Sequence, residues 1–132
     1  MTMRPILFVG LWVACVLGGC MPSHDVPEGR WSGLLTPSTA DAAAIPVVTE
    51  VRYGNGLLSV TLDGLEEQGA TPISARNPRV RGETLAFAFT EPYDRLLVEC
   101  TVVRRADGSF AGRCMDGREA WAELILYPPG RP

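Results

Sequence analysis

Few side chains in this sequence could do chemistry, and their spacing narrows what that chemistry is. The 132 residues contain one histidine, four cysteines and fifteen acids. A Ser/His/Asp relay needs its histidine in the folded body, and the Gly-x-Ser-x-Gly elbow is absent. His24 stands four residues after Cys20, in a short polar stretch with two prolines, and is read as a bystander. Paired carboxylates could run a glycosidase-type acid/base mechanism. The nearest pairs are Glu66-Glu67, Glu91-Asp94 and Asp116-Glu119, all in expected loops where solvated acids are the ordinary outcome. "DGLEEQG" lacks the alternating oxygen ligands of a calcium loop. No Cys-x-x-Cys or Cys/His cluster offers a metal or redox pair. The expectation is a non-enzyme with no catalytic residue, no metal and no cofactor.

Cys100 and Cys114 have a different use. "RRADGSF" places Asp107-Gly108 between two apolar runs, a strong hairpin signal. If Ala106-Asp107-Gly108 is a three-residue loop with Gly108 left-handed, Arg105 faces Ser109. Residues whose numbers sum to 214 are then opposite, and Cys100 meets Cys114 across the hairpin, close enough to bond. A two-residue Asp-Gly turn would slip the register by one and leave the thiols on opposite faces. The pairing carries a disulfide expectation, worth about 3 kcal/mol for a loop of this length.

The other two cysteines lie near the start. Met1–Pro5 carries one charge, Arg4, and Ile6–Leu17 is an almost uninterrupted apolar run. At ~1.5 Å per residue its twelve residues fall well short of a ~30 Å bilayer core. A basic start, a short apolar middle and small residues at the end describe a secretory signal peptide. Leu17-Gly18-Gly19-Cys20 resembles the lipobox of bacterial lipoproteins, whereas bulky Trp12 and Val13 before Cys15 do not. The resemblance implies a cleaved signal over residues 1–19, acylation of Cys20 and a lipidated tether over residues 20–28. Three acyl chains, palmitate among them, would hold the mature chain on a membrane, since one chain binds marginally and two anchor stably. Met21 after the cysteine, in place of Asp, implies the outer membrane facing the periplasm under an enterobacterial-type sorting rule.

Without residues 1–19 the mature chain is 113 residues, one domain's worth. Its fifteen acids outweigh its eleven arginines, and the arginines are scattered. There is no basic stripe, so nucleic acid is not an expected partner. An exported compartment is also oxidising, which favours the disulfide.

The elements read as short strands. "GRWSGLLT" is the first, followed by a loop in which residues 40–44 could form a brief helical turn. Val47, Thr49, Val51 and Tyr53 alternate, as do Leu58, Val60 and Leu62, around Asn55-Gly56. A type I′ turn there pairs residues summing to 111, so Tyr53 faces Leu58 and both apolar faces coincide. Residues 63–72 connect, with a second turn of helix expected at 65–68. Two short strand pieces follow, over 73–76 and 79–81, where Pro78 restricts pairing. Gly82-Glu83 then turns Val80 across from Leu85. Leu85, Phe87 and Phe89 share a face, Leu96, Val98, Cys100 and Val102 point inward, and 119–127 is the last strand. In that strand Ala120, Ala122, Leu124 and Leu126 are placed on one side, Trp121 and Ile125 on the other. About eight short strands with no helix period predict an all-β fold, a small antiparallel up-and-down barrel or sandwich over 29–127 with a 128–132 tail.

Gly29-Arg30-Trp31 at the opening of this series resembles the Gly-x-Trp start of lipocalin-like and avidin-like barrels. There the tryptophan closes one end of the barrel under a basic residue from the last strand, a role for which only Arg118 or Arg131 stands near. Trp31 and Trp121 are candidates for core or barrel-plug positions. The expected function is a membrane-anchored envelope module that binds an envelope protein or cell-wall partner. The alternatives are a carrier of a small apolar ligand, and a periplasmic inhibitor of a lysozyme or protease. For the inhibitor, "LEEQGATP" and "TEPYD" are the candidate loops, although the Ser-x-x-Gly-x-x-Tyr-type loop of lysozyme-inhibitor lipoproteins is absent.

Overall fold

Turn chemistry sets the first register. In the computed structural model, which describes residues 26–65 and 71–130, Asn55 and Gly56 have φ of 54° and 78°. Two left-handed residues in succession make the I′ turn whose twist matches the flanking strands. Strand β2 (Ile45–Gly54) therefore meets β3 (Leu57–Asp63) with Tyr53 opposite Leu58 and Val51 opposite Val60. Val47, Thr49, Val51, Val60 and Leu62 are buried on the common face.

Strand β1 (Gly29–Pro37) pairs with β2 on one side and with β9 (Glu119–Tyr127) on the other. That second pairing joins the beginning of the sheet to its end. From β9 the order continues through β8 (Phe110–Asp116), β7 (Leu97–Arg104) and β6 (Thr84–Thr90), each antiparallel to the next. Between β3 and β6 a single bent run does the work of one strand. Its first part, β4 (Ile73–Ser74), pairs with β3; its second, β5 (Arg76–Arg81), pairs with β6. Ala75, between them, donates its N–H to the carbonyl of Val60 at 2.8 Å. The result is a nearly closed up-and-down barrel of nine antiparallel strands with no helix among the described residues, which decides barrel over sandwich. Asn77, at φ 49°, and Pro78, which has no N–H, account for the irregular register between Arg76 and Arg79.

One contiguous core fills the inside of the wall. Trp31, Phe87, Phe89 and Phe110 are its largest buried side chains, with Leu35, Leu85, Leu124 and Leu126 around them. Val26 belongs to it as well. Its N–H donates to the Tyr53 hydroxyl at 3.1 Å, and the Glu28 carboxylate accepts the Tyr53 N–H at 2.5 Å. The folded body thus includes three residues that the sequence assigned to the tether.

Three local expectations are corrected. Residues 38–44 make a turn without helix, with Ala42 N–H donating to the Thr39 carbonyl at 3.3 Å. Leu96 is exposed, because β7 begins only at Leu97 after Arg95 turns the chain at φ 60°. Trp121 lies against the core and Ala120 is exposed. The cause is a bulge: Cys114 faces Ala122 and Met115 faces Ala120, leaving Trp121 as the extra residue on β9. Of the helical turn expected at 65–68, only Leu65 lies within the described residues.

Candidate functional site

The three-residue loop between β7 and β8 forms as its residues require. Gly108 has φ of 89°, Arg105 N–H donates to the Ser109 carbonyl at 2.7 Å, and Gly108 N–H donates to the Arg105 carbonyl at 2.9 Å. The Asp107 carboxylate accepts both the N–H and the hydroxyl of Ser109, at 2.9 and 2.6 Å, which locks the turn. Cys100 and Cys114 are consequently opposite, 3.9 Å apart at Cα, and bonded with both residues buried.

Trp31 is buried near the start of β1. Its indole N–H donates to the Pro27 carbonyl at 3.0 Å, so the ring enters the core with its one polar atom satisfied. Its ring centroid lies 5.4 Å from that of Phe110, and the Arg104 guanidinium sits 5.1 Å over the other ring. A cation does cover this aromatic pair, but it comes from β7 and rests on Phe110; Arg118 and Arg131 are not needed for it. Arg104 Nε also lies 3.5 Å from the Glu83 carboxylate. At the opposite end of β9, Trp121 meets Phe89 edge-on at 5.8 Å. Cys20, His24, Glu66, Glu67 and Arg131 lie outside the described residues.

The carboxylates divide by surroundings. Asp116 and Glu119 face each other across the 117–118 turn at the end of the β8–β9 hairpin. Glu91, expected to be solvated, is only 3% exposed. Its side chain folds back onto its own loop, accepting the N–H groups of Tyr93 at 2.9 Å, Asp94 at 2.5 Å and Leu96 at 3.4 Å. Its N–H donates to the Leu96 carbonyl at 2.9 Å, closing the loop at the base. Three amides on one carboxylate make this an anchor for the backbone, with no face left for acid/base work. Outside the loop, Tyr93 is 71% exposed.

Two depressions among the described residues lie on the outer wall. One, of about 240 Å³, is bordered by Arg30, Glu50 and Asp63; the other, about 370 Å³, runs past Leu34 and Ile125 between Arg105, Arg113 and Glu123. In the first, the Arg52 hydrogen bond to Glu50 at 2.7 Å and the Arg52 charge hold the Glu50 carboxyl below its usual range, with a smaller pull from Arg30. Such exposed pairs contribute little to stability.

The chain matches no protein-family model, no curated protein and no solved structure. Its own side chains are therefore the basis for assigning a role. Among the described residues no three His, Cys, Asp or Glu side chains cluster as a metal site, and no helix is long and apolar enough to cross a membrane.

Inside the barrel one polar atom stands out. Thr49 Oγ1 is buried between Trp31 and Leu62 in the register and has no hydrogen-bond partner. A buried hydroxyl without a partner costs free energy that an isosteric methyl does not. Thr49→Val is expected to stabilise the protein by about 1 kcal/mol, raising Tm by ~4–8 °C. Thermal melts of the two proteins measure it; a lower Tm for the variant would mean that the hydroxyl is satisfied.

Proposed function

We propose that this protein is a membrane-anchored envelope lipoprotein whose small barrel is a non-catalytic binding module displayed away from the membrane. The observation that carries this reading is the unequal length of the connections at the two barrel ends. The chain enters β1 at one end, beside Tyr53, and the connections there are short: 55–56, 82–83 and the Ala106–Gly108 loop. The other end holds 38–44, 64–72 and 91–96, with only 117–118 short. If Cys20 is acylated six residues before Val26, the lipid holds the short-turn end at the bilayer and the long loops face outward. Loops on a rigid scaffold are the usual carriers of recognition.

A carrier of a small apolar ligand has less support, because the inward positions hold large rings in mutual contact at 5.4 and 5.8 Å. A non-catalytic role is supported by the engagement of Glu91 with its own loop.

Cys20→Ser tests the anchor. The unaltered protein, expressed with its signal, is expected in the membrane fraction with an intact mass that includes three acyl chains. The variant is expected to move to the soluble fraction almost completely, since each buried methylene contributes ~0.8 kcal/mol to anchoring. An unlipidated amino end on the natural product would overturn the reading.

A further inference from the structure

The loop 91–96 joins two properties seldom found together on a surface. It is apolar on the outside: Tyr93 is 71% exposed, Leu97 47% and Leu96 38%, so three large exposed side chains fall within five residues. It is also fixed from within. The buried Glu91 carboxylate holds three of its amides, Pro92 sets one φ, and Arg95 adopts φ 60°. Exposed rings on ordinary surface loops pay an ordering cost on binding; here the fold has already met much of it.

We infer that this loop is the contact through which the barrel captures a protein partner, the Tyr93 ring entering an apolar pocket on that partner. The inference rests on the binding-module reading and names the class of partner. Tyrosine and arginine are the residue types that dominate interface energetics, and Asp94 and Arg95 supply a polar rim beside the apolar centre. A protruding loop with a central ring complements a concave site, which places the pocket on the partner. A cell-wall glycan fits less well. Sugar hydroxyls need carboxylate or amide side chains around the ring, and here Glu91 is consumed by backbone amides while Leu96 and Leu97 present methyl groups.

The test uses the full-length, membrane-bound protein in cells. A photo-crosslinking benzoylphenylalanine is placed at Leu97, at Ala43 in another far-end loop, and at Ser59 on β3 as a distant control. The Leu97 probe is expected to give one discrete protein adduct that the Ser59 probe does not give. Tyr93→Ala is expected to lower its yield about tenfold or more while leaving Tm unchanged, because the ring packs on nothing that the fold needs. An adduct insensitive to Tyr93→Ala, or one consisting of glycan, overturns the inference. If the Ala43 probe traps a protein and the Leu97 probe does not, the loop assignment fails and the module reading stands. If neither traps anything, both fail.

Discussion

Replacing Gly112 with alanine is expected to cost the barrel its cooperative fold. Gly112 lies between Val102 of β7 and Leu124 of β9 in the register. A Cβ built there would stand 1.9 Å from the Thr101 carbonyl oxygen and 2.8 Å from Val102 Cα. Both are backbone atoms of a paired strand and cannot rotate aside. The β7–β8 pair must separate to admit the methyl, and the core on its inner face loses contact with it. Overpacking of this kind costs about 3 kcal/mol or more when the obstacle is main chain. At ~4–8 °C per kcal/mol, a loss of Tm of at least about 12 °C follows. Gly54→Ala is the control, since nothing lies within 4 Å of its Cβ position. A Gly112→Ala protein melting within a few degrees of the unaltered one would show that β7 and β8 are further apart than described.

The second large effect concerns the sulfurs two residues along. The double replacement Cys100→Ala/Cys114→Ala opens a loop spanning 14 positions in sequence, worth about 3 kcal/mol in chain entropy. A fall of ~12–24 °C in Tm is expected, with the native barrel still forming at low temperature. Because both cysteines are buried, a reductant should leave the folded protein untouched and act only as it opens. Identical melts with and without reductant, after equilibration through the transition, would show that the bond is not made in the native protein. The two perturbations share a hairpin, so their effects should not add.

Local turn chemistry made much of this barrel legible in advance. Asn55-Gly56 and Asp107-Gly108 each permit few backbone paths, and each path dictates every pairing along its two strands. The matching apolar faces at Val51 and Val60 then checked the register independently. What stayed hidden follows from the same reliance on alternation. A bulge adds one residue and inverts every later assignment, so Trp121 and Ala120 exchanged sides with no signal in their residue types. Leu96 looked like the start of an inward face because nothing in "EPYDRL" announces that Glu91 will fold back and claim its amide. Glu91 itself reads as a surface acid until the loop closes around it. The cation over Phe110 could not be found either, since Arg104 comes from a neighbouring strand whose position depends on closure of the whole sheet.

That closure has a kinetic consequence. β1 cannot complete its hydrogen bonds until β9, the last strand of the chain to be delivered, lies alongside it. Until then Trp31 and Leu35 sit on an open strand margin, the kind of template that recruits foreign chains. The β7–β8 hairpin, by contrast, needs only its own residues and can oxidise while the margin is still open. Assembly should therefore be slow at its final step, on the millisecond-to-second scale of sheet proteins dominated by distant pairings. Any chaperone that attends this chain would find its work at the amino-terminal strand.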